Sequence, residues 1–319
     1  MPLAEFDLLD TSGLTQRHAL PPMARRLHPD AKKLHGNVWA WFNPSAVEWR
    51  GKRWLAYRTE CSPRWHWSRI SLAQLDAKGC VLSGSNKLLR VPTGFGKWGA
   101  EDPRLTVWQD RLFLSYTDGW EMGFAELDDG GSVVTVRILR ERKVVRNVLF
   151  EKTQREKNWG FFGTDDGFFV SYWVAPQVVF RFDERKGKLG ERWETPWTVP
   201  ADAGQLHGGS TPVAHDGLIW RVVHSHAATE SGRHCYRLWL MAFEAKPPFA
   251  PCWFCAKPLV VAARDPSPVP EQVVHDVVFC GSAERASDGW RIFFGENDRR
   301  IRHGVVPDAM ILPHWQAVR

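Results

Sequence analysis

The chain reads as an all-β protein, a five-bladed β-propeller, and three observations carry that reading. Its 18 tryptophans and 18 phenylalanines fall in short apolar runs punctuated by 26 glycines and 21 prolines, the composition of strands and turns. No long stretch repeats its apolar residues at helical spacing. Most informative, one pattern recurs five times: a polar residue or pair, apolar residues, a turn rich in Gly and Asp, then an alternating apolar strand ending in an aromatic and a polar group.

In chain order, residues 1–36 are mixed and polar, with Pro21-Pro22 and Arg25-Arg26 breaking any pattern, and are expected to be a lead-in packed on the outside of a single catalytic domain over 37–319. The first copy is Asn43-Pro44-Ser45-Ala46-Val47, a turn at Arg50-Gly51-Lys52 and a strand from Trp54 to Arg58. The second is Glu101-Asp102-Pro103-Arg104-Leu105, a turn at Gln109-Asp110 and a strand from Leu112 to Thr117. The third runs from Lys157-Asn158-Trp159 through Asp165-Asp166-Gly167 to Tyr172. The fourth runs from His207-Gly208-Gly209-Ser210 through Asp216-Gly217 to Ser225, and the fifth from Asp276 through Asp288-Gly289 to Gly295. Intervals of roughly fifty to seventy residues suit a four-stranded blade. In a propeller the innermost strands line one channel, so Asn43, Asp102, Lys157, His207 and Asp276 are expected to converge there.

The most concentrated polar spot is Gly99-Ala100-Glu101-Asp102-Pro103-Arg104. Proline biases the residue before it toward extended backbone, which would aim Asp102 in one direction, and Arg104 lies two residues on, on the same strand face. Those residues alone fit an active carboxylate or a buried Asp–Arg pair closing a turn.

With these motifs in hand the chain resembles glycoside hydrolase family 130, the mannoside phosphorylases and related mannosidases. Gly99-Ala100-Glu101-Asp102-Pro103-Arg104 is similar to that family's Gly-x-Glu-Asp-Pro-Arg signature, and Asn43-Pro44-Ser45 with Tyr57-Arg58 to its first-blade pairs. Val278-Phe279-Cys280-Gly281, then Phe294-Gly295-Glu296-Asn297-Asp298, is similar to its closing motifs. The resemblance covers residue 36 or so to the end. It implies a five-bladed propeller in which Asp102 is the general acid and Asn43, Ser45, Arg58, Glu101, Arg104 and Asp298 hold the sugar. It implies an inverting reaction with inorganic phosphate as co-substrate, bound by Arg58, Lys157 and His207 in their order along the chain. Glu101 and Asp298 beside Asp102 are expected to favour its acid form through burial and like charge. Related readings are a hydrolase with Glu60, Glu296 or Asp276 as base, a sugar-nucleotide mannosyltransferase, and a propeller that binds carbohydrate without turnover. Trp41, Trp65, Trp67 and Trp120 are candidate sugar-stacking faces.

Composition bounds the partners. The net charge of +6 comes from 42 basic and 36 acidic residues spread along the chain, which favours a small anionic or glycosidic ligand over nucleic acid. Cys252 and Cys255 have the spacing of half a zinc site, but no second half follows, and His66, His224, His226, His234 and His275 show no ligand spacing; no metal and no organic cofactor are expected. With no signal-like start and no run of 18 apolar residues, a cytoplasmic protein without a membrane partner is expected. Nothing in the pattern specifies a number of subunits.

Overall fold

The structure is a computed structural model and describes residues 4–14, 38, 40–60, 68–92, 99–119, 121–139, 156–228, 234–263 and 276–318. Trp65, Trp67, Trp120, His66 and His275 lie outside the described residues.

Each recurring motif forms an antiparallel hairpin because its turn supplies the backbone that tight hairpins need. Arg50-Gly51, Gln109-Asp110 and Asp216-Gly217 all have positive φ at both turn residues, the signature of the two-residue turns whose twist matches paired strands. The flanking strands then propagate outward into five sheets. The first contains Ala40–Trp49, Lys52–Glu60, Ser68–Leu75 and Lys87–Leu88. The second contains Glu101–Trp108, Arg111–Thr117, Met122–Leu127 and Val133–Leu139. The third contains Gly160–Thr164, Gly167–Trp173, Gln177–Asp183 and Lys188–Thr195.

The fourth sheet is the largest, with Leu218–Ala228 and His234–Glu244 at its centre. Short strands Leu206–Gly208 and Val213–His215 pair with the first of these, and Pro251–Cys255 with the second. The C-terminal strand Trp315–Ala317 pairs with Pro251–Cys255 at its outer edge. The fifth sheet contains Val278–Arg285, Gly289–Glu296 and Arg300–Pro307, and its outer strand is Asp7–Leu8 from the other end of the chain. The helical residues described are one turn at Asp308–Ile311 and a 3-10 turn at Leu312–His314.

Apolar side chains between neighbouring sheets close these layers into a propeller. Trp54, Leu72, Leu105 and Leu114 join the first sheet to the second. Phe113, Phe124, Phe161, Phe168 and Phe182 join the second to the third, with ring centroids 4.7 to 6.1 Å apart. Phe162, Phe169, Val223 and Trp239 join the third to the fourth; Val222, Leu240, Ile292 and Phe294 join the fourth to the fifth. Leu55, Tyr57, Phe293 and Ile301 join the fifth back to the first, and Leu9 and Leu14 are buried in that same seam. Burying rings between sheets is the main stabilising contribution available to such a fold, at about 25 cal/mol per Å² of apolar area. Trp41, partly buried, packs against this seam.

Near the centre, polar bonds replace apolar contact. Ser45 Oγ accepts from the Leu105 N–H (2.9 Å), and Ser282 Oγ from the Ala46 N–H (2.7 Å). Thr211 donates its N–H to the Gly281 carbonyl (3.1 Å) and its hydroxyl to the Leu105 carbonyl (3.0 Å). Arg104, wholly buried, donates to the Gly209 carbonyl (2.6 Å), the Asp102 carbonyl (3.1 Å) and Asn158 Oδ1 (3.2 Å), and its guanidinium lies 5.0 Å from the Phe279 ring. One side chain from the second sheet therefore ties itself to the third, fourth and fifth. Ser45 and Arg104, both wholly buried, act as struts between the sheets.

Candidate active site

Above those struts the backbone turns in a way that only a few residue types accept. Asn43, Asp102, Asn158, Asp276 and Asp298 all have positive φ, between 48° and 65°. Asn and Asp tolerate this left-handed region better than other residues with a Cβ. At Asn43 and Asp102 it coincides with a break in pairing register, between Phe42 and Ser45 and between Glu101 and Arg104. Such bulges redirect a side chain that a regular strand would send elsewhere. Asn43 Nδ2 donates to Asp102 Oδ1 at 2.8 Å, so the first and second sheets meet at this pair.

Arg58 organises the carboxylates around it. Its Nε donates to Ser68 Oγ (2.6 Å), its Nη2 lies 3.4 Å from Glu60 Oε2 and 3.3 Å from Glu101 Oε1, and its Nη1 lies 3.6 Å from Asp102 Oδ1. Ser68 Oγ in turn donates a hydrogen bond to Glu60 Oε2 at 2.9 Å. The guanidinium lies 4.8 Å from the Phe42 ring centroid. Gly99 makes the loop before Glu101 possible: its φ is +92°, and a Cβ there would run into the Ser68 carbonyl. Burial opposes the charge on Arg58, but Glu101, Glu60, Asp102 and Asp298 together hold its pKa above the ordinary arginine value.

Arg58, expected to help bind both sugar and phosphate, directs its donors at Ser68 and three carboxylates. One sequence expectation is revised. Asp102, expected to favour its acid form, does not: burial pushes its pKa up, yet Arg58, Lys157, Arg104 and the Asn43 hydrogen bond bring it below the usual aspartate value. Three cations and an amide outweigh burial there. Asp298 carries the raised pKa instead. It keeps part of its surface accessible, yet the protein around it pushes the carboxyl up to about 6, with Asp102 and Glu101 adding to the rise and Arg58 and Lys157 opposing it.

That shift has a consequence for stability. A carboxyl whose folded pKa lies above its unfolded value contributes stability at low pH and loses it as pH rises through the folded value. Asp298→Asn is therefore expected to stabilise the protein above about pH 7 by on the order of 2 kcal/mol, with the gain vanishing near pH 4. Thermal unfolding of both proteins across that range checks it; a gain that does not depend on pH would mean the carboxylate is not strained.

A second region adjoins the carboxylates. A cavity of about 300 Å³ is lined by Lys157, Tyr172, Trp173, His207, His224, His226 and Tyr236, among others. Cross-strand pairing of His207 with His224, and the two-residue step to His226, put three imidazoles on one face. The His207 ring lies 5.5 Å from His224 and 5.3 Å from His226, and Tyr236 lies 5.8 Å and 5.4 Å from His224 and His226. Burial, then His226, lowers the His207 pKa; burial, followed by His207 and Arg104, lowers that of His224 to about 3. Lys157 Nζ lies 3.7 Å from Glu101 Oε2 and links the two regions.

Four buried polar atoms in this part of the propeller have no hydrogen-bond partner among the described residues: Asn43 Oδ1, His207 Nε2, His224 Nδ1 and Asp276 Oδ1. Each such atom costs about 1–3 kcal/mol, and several together are the mark of a place where a ligand completes the bonding. No group of His, Cys, Asp or Glu among the described residues is arranged to hold a metal ion.

Of the alternative bases, Glu60 is engaged by Ser68 and Arg58, and Glu296 by Arg302 at 3.0 Å and Arg300 at 3.7 Å. Asp276 is nine-tenths buried, its carbonyl accepts from the Tyr236 N–H (3.0 Å), and it precedes the Val277–Asn297 pair that Asp298 follows. His224, His226, Tyr172, Trp173 and Tyr236 were not among the expected site residues. The His224-Ser225-His226 spacing, directly after the His207 motif, is the signal the sequence offers for them.

No protein-family model and no curated protein sequence matches the chain. Solved structures match its fold. The β-1,2-mannobiose phosphorylase from Listeria innocua, in complex with β-1,2-mannobiose, superposes with a TM-score of 0.62 at 13% identity, covering 98% of this chain and 99% of that one. A second belongs to work on glycoside hydrolases within the GH130 family of mannoside phosphorylases that target β-1,2 mannosidic linkages in Candida mannan. It gives a TM-score of 0.57 at 15% identity over 88% and 84% of the two chains. MPT-4, a mannose phosphorylase from Leishmania mexicana in complex with phosphate ion, gives 0.52 at 14% over 88% and 87%. The class defined by fold is thus the β-propeller that glycoside phosphorylases and glycosidases use. Within it, the chain is GH130-like in architecture.

No helix among the described residues is long and apolar enough to cross a membrane.

Proposed function

We propose that the chain is an inverting carbohydrate-active enzyme, built on a ring of five blades, that cleaves a β-linked mannoside by phosphorolysis with Asp102 as general acid. The observation that carries this reading is the adjacency of two unlike halves. One is a nest of carboxylates gripped by Arg58; the other is a cavity with one lysine and imidazole nitrogens that lack partners. Asn43, Arg58, Glu101 and Asp298 offer the mixture of donors and acceptors that sugar hydroxyls need. Lys157, His207 and His224 offer charge and hydrogen-bonding nitrogens to a compact oxyanion.

In an inverting displacement the nucleophile attacks the anomeric carbon on the face opposite the leaving group. A phosphate oxygen from the cavity side forms the new C–O bond, the glycosidic C–O bond breaks, and the Asp102 proton passes to the departing oxygen. The product is a mannose 1-phosphate and a shortened glycoside. Mannose as the sugar and phosphate as the nucleophile draw support from the Listeria innocua and Leishmania mexicana structures of the same fold. Such a reaction needs a supply of inorganic phosphate, which fits the cytoplasm.

Hydrolysis is the second reading, favoured by one observation: Asp276 has a buried carboxylate oxygen without a partner, which would suit a base acting on water. The two separate on one assay. With β-1,2-mannobiose, phosphorolysis is expected to release mannose 1-phosphate at a rate that rises with phosphate and falls to near zero without it. Free mannose released at an equal rate in phosphate-free buffer would replace this reading with the hydrolytic one.

A further inference from the structure

We infer that Lys157 is shared between the anion cavity and the acid, so that the arrival of phosphate is what lets Asp102 take up its proton. This rests on the phosphorolytic reading of the cavity and adds an order of events to it.

Among the described residues, Lys157 is the most loosely held cation at the junction. Lys157 lines the cavity and at the same time lies 3.7 Å from Glu101, the chain neighbour of Asp102. That separation is near the outer limit of an ion pair, and about a third of the side chain is accessible. The other two cations are fixed. Arg58 is held by Ser68, Glu60 and Glu101 over the Phe42 ring, and Arg104 by the carbonyls of Gly209 and Asp102. An oxyanion in the cavity offers Lys157 a charge-assisted bond of about 2.8 Å, stronger than the contact it leaves.

The ionisable groups around Asp102 are Arg58 and Glu60 from the first sheet, Glu101 and Arg104 from the second, and Lys157 leading into the third. The fourth supplies His207, His224, His226 and Tyr236, and the fifth Asp298. When Lys157 turns to an anion, the carboxylates lose a neighbouring cation and gain a negative neighbour. Removing one unit charge about 6 Å away at an effective dielectric constant of 20 changes proton affinity on the order of 100-fold. The proton thus loads where it is needed only after the nucleophile has bound. A glycoside that enters without phosphate meets an ionised Asp102 that cannot protonate its leaving oxygen, which suppresses wasteful hydrolysis.

Calorimetric titration with sodium sulfate near pH 6, repeated in buffers of different ionisation enthalpy, measures protons taken up per bound anion without the probe itself titrating. The wild type is expected to take up protons on binding sulfate, and Asp102→Asn to lose roughly half or more of that uptake, Asp298 and the histidines supplying the rest. Infrared difference spectra are expected to show a protonated carboxyl band appearing with sulfate in the wild type and in Asp298→Asn, so the conclusion does not depend on the Asp102 variant alone. Binding with the same uptake in both proteins, or with no such band, overturns the coupling while leaving the cavity an anion site. If neither sulfate nor phosphate binds the wild type, the phosphorolytic reading falls and this inference with it.

Discussion

Asp102→Asn is expected to lower turnover of an oligosaccharide by on the order of 10³-fold or more while leaving the fold intact. The fold should survive because asparagine accepts the left-handed backbone at this position, where φ is 53°, and its amide oxygen can still accept from Asn43 Nδ2. What is lost is the proton for the departing oxygen. The deficit should therefore shrink for an aryl β-mannoside whose leaving group departs without protonation, measured as kcat on both substrates at saturating phosphate. Equal losses on the two substrates would remove Asp102 from the role of general acid and point to a defect in binding the sugar.

Much of the architecture was legible because it is written in local chemistry. Gly and Asp at the hairpin turns, alternation on the strands and the recurrence of the same phase five times are short-range signals, and they led to the right kind of sheet in the right order. Asn43, Asp102 and Lys157 meet as their shared phase implied, through the Asn43–Asp102 bond and the Lys157–Glu101 pair. Less legible was what each charged residue does once there. Arg104 sits two residues from Asp102 on the same strand, a spacing that fitted an active carboxylate or a buried Asp–Arg pair alike; the register breaks between Glu101 and Arg104, and the arginine donates to the Gly209 carbonyl of a distant sheet. The ionisation of Asp102 depends on burial and on how closely Arg58, Lys157 and Arg104 approach it in space, which the sequence does not carry. The histidine face was hidden for a similar reason: His207 and His224 become neighbours only through strand pairing. The pairing of Asp7–Leu8 with Arg302 and His303, which joins the two ends of the chain in one sheet, left no local trace either.

Replacing Arg58 should test the electrostatic design more severely than replacing any carboxylate. Arg58→Met keeps most of the volume over the Phe42 ring but strips Glu60, Glu101 and Asp102 of their shared cation, and all three are at least nine-tenths buried. Breaking a buried ion pair by removing one partner costs about 3–5 kcal/mol, because the remaining charge is left uncompensated. Near neutral pH the midpoint of thermal unfolding is expected to fall by about 10 °C, and activity to be lost with it. The sign of the pH dependence follows from the same cause. Without the guanidinium the burial of the charged carboxylates goes less compensated, so the variant is expected to lose stability relative to the wild type as pH rises. The gap to the wild type should accordingly be small near pH 4 and widen toward pH 7, and adding Glu60→Gln should recover part of it. A gap of constant size would assign the loss to packing on Phe42, and the carboxylates would then have to be neutral in the native protein, which no phosphate-driven transfer of a proton to Asp102 could accommodate.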